Sequence, residues 1–243
     1  MSLTVSILSP HIDDASYGLT LTIDRLLSKQ IAVKLINCFT VTKWTAVPVV
    51  SKEIQEVSRM RAAEDADFNA LFNSAIEIIN LGLLDAPLRN DYILRVQPLS
   101  EDELNLAEDL KNKLEPLAGD ILLCPLGIGN HIDHAICLEA VVQLYPKQKI
   151  IFFEDLPYSA RISHAEIIDH IKALQNRLGI DLGNHVTSFK DCSVDKESAI
   201  RVYKSQINDE ICQEIITHMR ALKGERLWGE AEILEVLKKK LEC

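Results

Sequence analysis

The sequence predicts an α/β fold whose mostly parallel sheet is covered by helices on both faces. Two observations carry this expectation. Short apolar runs alternate with longer amphipathic ones along the chain, and neither a low-complexity segment nor a repeat of fixed period interrupts them. Strands joined through helices imply right-handed crossovers, which lay the strands parallel and put helices over both faces.

The strand-like runs are residues 4–8, 31–39, 75–81, 120–124 and 149–154, each flanked by Pro, Gly, Asn or charged residues. Helical patterns fill the gaps at about 16–29, 51–73, 101–115 and 133–144. From Ser163 onward helix dominates, over 163–178, 194–222 and 230–241, with one candidate strand at 185–190. No Gly/Ser/Pro linker sets this tail apart, so it is expected to pack on the same core as a single domain spanning residues 1–243.

Length and charge bound the function. A chain of 243 residues buries well over half of its unfolded surface without needing disulfides. Its six cysteines show neither a CxxC pair nor a close Cys/His spacing, and they read as reduced, mostly buried thiols. The start of the chain lacks a charged segment followed by an apolar one, and no window reaches about 18 continuous apolar residues. A cytoplasmic setting without a membrane span is therefore expected. The net charge of −10 opposes binding to nucleic acid, which is read through Lys and Arg clusters, and favours a small-molecule partner. Homo-oligomerisation is left open.

Candidate chemistry gathers at two strand ends. Ser9-Pro10-His11-Ile12-Asp13-Asp14-Ala15 follows the first strand, and Pro125-Leu126-Gly127-Ile128-Gly129-Asn130-His131-Ile132-Asp133-His134 follows the fourth. In a doubly wound sheet both reach the crevice at the carboxyl ends of the strands. Within each, the outer residues are three apart, so one turn brings His11 with Asp14, or His131 with His134, to the same side. Two imidazoles and a carboxylate form a catalytic zinc set that leaves one position open, and the remaining His and two Asp can serve as base and acid. A lone His-x-x-Asp at a strand-to-helix junction reads more simply as a cap beside a surface histidine. Two such clusters, holding three of the seven histidines, are harder to explain as caps alone. The other four, His164, His170, His185 and His218, read as ordinary surface or core residues. Gly127-Ile128-Gly129 is a weak match to a dinucleotide loop, because the third glycine is missing and the strand before it comes late.

Ser-Pro-His-Ile-Asp-Asp-Ala resembles the His-Pro-Asp-Asp motif of the PIG-L/LmbE-like deacetylase family in its Ser-Pro-His-x-Asp-Asp-Ala variant, and His131-Ile132-Asp133-His134 resembles that family's second motif. Further similarity lies in Arg61-Ala62-Ala63-Glu64, in Leu81-Gly82-Leu83-Leu84-Asp85 with Arg89, in Glu154-Asp155-Leu156-Pro157-Tyr158 and in Glu225-Arg226-Leu227-Trp228. Ile12 stands where proline is usual, and Ala15 where many members have glutamate.

The resemblance implies a Rossmann-like, zinc-dependent N-deacetylase acting on an N-acylated amino sugar or a conjugate that contains one. It implies His11, Asp14 and His134 as zinc ligands and Asp13 as general base. His131 would stabilise the oxyanion or protonate the departing amine, with Asp133 orienting its ring. Arg61 would grip substrate oxygens, its alternative being an ion pair with Glu64. Asp85, Arg89 and Tyr158 are weaker substrate-binding candidates, for which a surface salt bridge or a packed ring is an equal reading. A His/His/carboxylate set also accepts iron or cobalt. The rival functions are a metal-dependent hydrolase of another amide or an ester, and a non-catalytic small-molecule binder on the same fold.

Overall fold

The computed structural model describes residues 3–90, 92–94, 98–190 and 192–242. Strand β1 (Thr4–Ser9) leads into helix α1 (Asp14–Ser28), β2 (Ala32–Asn37), α2 (Ile54–Ala70) and β3 (Glu77–Asn80). A short helix, α3 (Ala86–Arg89), and then α4 (Glu101–Leu114) carry the chain to β4 (Ile121–Pro125), α5 (Ile132–Val142) and β5 (Ile150–Phe153). The tail adds a 3-10 turn (Tyr158–Arg161), α6 (His164–Leu178), β6 (Gly183–Ser188), α7 (Lys196–Arg201), α8 (Asp209–Leu222), β7 (Gly224–Gly229) and α9 (Ala231–Glu242).

Among the described residues, seven strands form one sheet in the order β3-β2-β1-β4-β5-β7-β6. The first five are parallel, while β7 runs antiparallel to both β5 and β6. The chain winds outward from β1 in one direction and from β4 in the other, so the order reverses between these neighbours. That reversal opens a crevice at their carboxyl ends. Ile7 pairs with Leu123, which brings the segments after Ser9 and Pro125 side by side.

Burial on both faces explains why the central strands read as continuous apolar runs. Val5, Ile7, Leu35 and Leu123 face one core, shared with α1 and with Ile215, Met219 and Leu237 of the tail helices. Leu8, Ile36, Leu122 and Cys124 face the other, against α4, α5 and α6. Of the tail helices, α8 and α9 cover the first face of the sheet and α6 the second. Among the described residues, no helix is long and apolar enough to cross a membrane. Cys38, Cys124, Cys137 and Cys212 are buried thiols and Cys192 is partly exposed; Cys243 lies outside the described residues.

The tail departs from expectation in three ways. The long helix expected over 194–222 is two helices separated by residues 202–208, a turn that buries Tyr203 and anchors Ser205 on Glu64. The strand expected at 185–190 begins two residues earlier. Strand β7 was not expected at all, because Gly-Glu-Arg-Leu-Trp-Gly has none of the apolar density of an inner strand. Its charges are neutralised by distant partners: Glu225 by Lys196 (2.8 Å) and Arg226 by Glu154 (2.5 Å).

Candidate active site

The turn after β1 is shaped by Ser9, whose Oγ donates to the His11 carbonyl (2.5 Å) and accepts the Ala15 N–H (3.1 Å). Asp13 stands at the boundary of α1 without a capping hydrogen bond from its side chain and Asp14 begins the helix, while across the crevice His131 caps α5 and His134 lies in its first turn. One oxygen of Asp14, Oδ2, is 3.4 Å from His11 Nδ1 and 3.3 Å from His134 Nε2. Ligands held at about 2.0–2.1 Å around a tetrahedral zinc are separated by roughly 3.3–3.4 Å, so both edges fit such an ion.

The opposite ring nitrogens are occupied. His11 Nε2 donates to Asp133 Oδ2 at 2.9 Å, and His134 Nδ1 donates to Asp155 Oδ1 at 2.6 Å. Each carboxylate fixes the tautomer that turns a lone pair toward Asp14. Burial opposes charge on His11, but hydrogen bonds and charges from Asp133 and Asp14 outweigh it and lift the group to about 9. The same balance raises His134, with Asp14 as its main partner. The carboxylates around these two rings therefore favour positive charge on them.

His131 behaves differently. Its nitrogens also come within 4.8 Å of those of His11 and His134, so the three imidazoles form a candidate metal cluster of their own. However, His131 Nδ1 accepts the backbone N–H of Asp133 at 3.2 Å, which leaves the proton of the neutral ring on Nε2. Burial and the two neighbouring imidazoles push His131 down to about 2. A neutral ring in this tautomer is a hydrogen-bond donor on its Nε2 side.

Several sequence-based roles change. Asp133 holds the His131 ring through its backbone N–H and not through its carboxylate, which accepts from His11, from Arg89 and from the Ala86 N–H (3.0 Å), because it points across to the β1 turn. Arg89 does not line the crevice; it binds Asp133 and lies over the Phe39 ring, 4.8 Å from its centroid. Arg61 lines the crevice but does not pair with Glu64. It holds Asp13 Oδ1, while Glu64 turns to Ser205. Asp85 and Tyr158 do line the crevice. Asp85 accepts from Thr42 Oγ1, and the Tyr158 ring meets His134 edge-on at 5.8 Å. Gly129, at φ +94°, makes room for Tyr158, since a Cβ there would come within 2.3 Å of the ring.

Asp155 lies within the run Glu154-Asp155-Leu156-Pro157-Tyr158 but has no role in the sequence-based reading, although it follows the fifth strand and thus obeys the same strand-end rule as the two motifs. Trp44, Gln206, Arg161 and the buried Tyr17 also line the crevice, which has an open volume of about 270 Å³. They come from loops, from the 3-10 turn and from α1, where sequence spacing carries no signal.

The PIG-L family profile, described as GlcNAc-PI de-N-acetylase, matches residues 6–145, more than half of the chain, and the chain belongs to this family. It is 27% identical over 228 residues to the 2'-N-acetylparomamine deacetylase of Streptomyces fradiae, covering 88% of this chain and 77% of that protein. Its fold is similar to that of a teicoplanin deacetylase in a zinc-inhibited form, with a TM-score of 0.64 and 18% identity over 93% of this chain and 97% of the other. It is also similar to the N,N'-diacetylchitobiose deacetylase of Pyrococcus horikoshii, with a TM-score of 0.57 and 17% identity over 94% and 82% of the two chains.

Proposed function

We propose that this chain is a zinc-dependent N-deacetylase that hydrolyses the acetamide of an N-acetylated amino sugar, free or as part of a conjugate. One observation carries the metal reading: two imidazoles, each gripped on its far nitrogen by a carboxylate, converge on a single Asp14 oxygen at 3.3–3.4 Å. His11, Asp14 and His134 would hold the ion. The names of the family and of its relatives specify acetyl removal from GlcNAc-PI, 2'-N-acetylparomamine, teicoplanin or N,N'-diacetylchitobiose, which supports this substrate class.

A bound zinc ion supplies Lewis acidity toward the acyl oxygen and acidifies the attacking water. Asp13 lines the crevice with one oxygen tied to Arg61, so its other oxygen is available to take the proton of that water. The same carboxyl group returns the proton to the nitrogen as the C–N bond breaks, giving acetate and a free amine. His131 Nε2–H donates to the oxyanion that develops on the acyl group. Arg61 is thereby a residue that aims the base, and Asp133 and Asp155 aim the two histidines.

Acetate release from N-acetylglucosamine and its conjugates, measured with and without chelator, tests this reading. The parent should release acetate only when metal is present. Asp13→Asn keeps the shape but loses the base, and should lower kcat by on the order of 10² or more with zinc still bound. Near-parental turnover by the zinc-loaded variant would remove Asp13 from the mechanism.

A further inference from the structure

The crevice has two chemical characters. Its floor is polar, built from Asp13, Arg61, Asp85 and the histidines, whereas Trp44 on the loop after β2 presents a large apolar face. Trp44 is 48% exposed, in contrast to Trp228, the other tryptophan, which is 3% exposed. An exposed indole beside charged groups leaves apolar area in water that a ligand could cover.

The loop bearing Trp44 is fixed in place. The Trp44 N–H donates to Thr42 Oγ1 at 2.8 Å, and Thr42 is itself held by Asp85. The Trp44 carbonyl accepts from Gln206 Nε2 at 3.4 Å, and the Ala46 N–H donates to the Ser205 carbonyl at 2.9 Å. Asp85 and Gln206 line the same crevice, so the backbone that carries the indole is tied to groups that face the ligand. Strand order puts this loop on the β2 side of the histidine cluster and Tyr158 on the β5 side.

A ligand that fits has polar edges and an apolar face, and a pyranose ring is built that way: its hydroxyls lie around the rim and its C–H bonds line one face. At about 270 Å³ the crevice is at the lower limit of small-molecule sites, which suits one ring and leaves the rest of a conjugate outside. We infer that Trp44 is a specificity-determining residue that stacks on the C–H face of the N-acetylated ring and aligns its acetamide with the histidine cluster. This inference rests on the deacetylase reading for the identity of the ring, and it adds the side chain that selects it.

The test combines kinetics with tryptophan emission on the zinc-loaded protein. Trp44→Ala should raise KM for N-acetylglucosamine about tenfold with kcat within about twofold, and Trp44→Phe should recover most of the loss. Rapid mixing of the parent with N-acetylglucosamine should give a saturable emission change that acetamide does not produce. Trp44→Phe, with Trp228 as its sole tryptophan, should show no such change. Acetate release with an unaltered KM in Trp44→Ala, or an emission change that persists in Trp44→Phe, overturns the Trp44 assignment and leaves the deacetylase reading intact. Sugar binding that depends on Trp44 but yields no acetate overturns the deacetylase reading and keeps the assignment.

Discussion

Asp155 and Asp133 do for this site what the proposed ligands cannot do for themselves. An imidazole binds a metal only through an unprotonated nitrogen, and a carboxylate on the far nitrogen holds the proton there. Asp155 is buried, and its second oxygen accepts the Ile128 N–H at 3.1 Å, so it is itself held in place. Asp155→Asn should retain the fold while zinc affinity falls about 10–100-fold, read by competition against a chromophoric chelator. Equal affinity would mean that His134 is oriented by its packing against Tyr158 alone. At this scale the spacing in the sequence put forward His11, Asp14, His131 and His134, which the fold brings together. It did not disclose which carboxylate serves which ring, because Asp133 reaches His11 across 122 positions.

Helix α2 shows how an element brings charge under the site. It carries Arg61 to Asp13 and Glu64 to Ser205, and one turn on it carries Asp65 to the Tyr203 hydroxyl (2.9 Å) and Asn37 Nδ2 (2.8 Å). Burial lifts Asp65 to about 6, against the pull of those two hydrogen bonds. The folded chain thus keeps a proton on Asp65 between about pH 4 and 6, where the unfolded chain has released it. The contribution of this group to stability is complete below about pH 4 and is lost as pH rises through about 6. A carboxyl carried from about 3.9 to about 6 changes stability by roughly 3 kcal/mol across that window. Asp65→Asn removes the titration, so in denaturant unfolding the variant should gain on the parent between pH 4 and 7. A difference that stays constant with pH would show that Asp65 does not titrate there. Arg61 and Glu64 were legible as a motif, whereas their partners were not, since helical spacing places side chains on a face without saying what lies opposite.

For the molecule as a whole, the histidine cluster joins segments that the sheet brings together. His11 follows β1, His131 and His134 follow β4, Asp155 follows β5, and Arg89 of α3 reaches in through Asp133. A metal that binds the assembled site and not the unfolded chain stabilises the fold by about 2.7 kcal/mol at a hundredfold excess over Kd. For a chain of this size that corresponds to a rise in Tm of roughly 5–10 °C. Calorimetry should show this rise with zinc, its reversal by chelator, and its absence in His134→Ala. An equal rise in His134→Ala would place the ion elsewhere.

What the sequence determined by itself is what local periodicity and spacing can encode. The alternation of apolar runs and amphipathic helices set the parallel sheet, and the His/Asp motifs at two strand ends marked the candidate site that the sheet assembles. Tertiary structure alone decided the placement of β7 inside the sheet, the pairing of Arg61 with Asp13, and the transfer of the Asp133 carboxylate from His131 to His11. The physical reason is the same in each case. A buried charge is stable only beside its partner, and that partner is chosen by strand order and loop path, which bring together residues as far apart as His11 and Asp133.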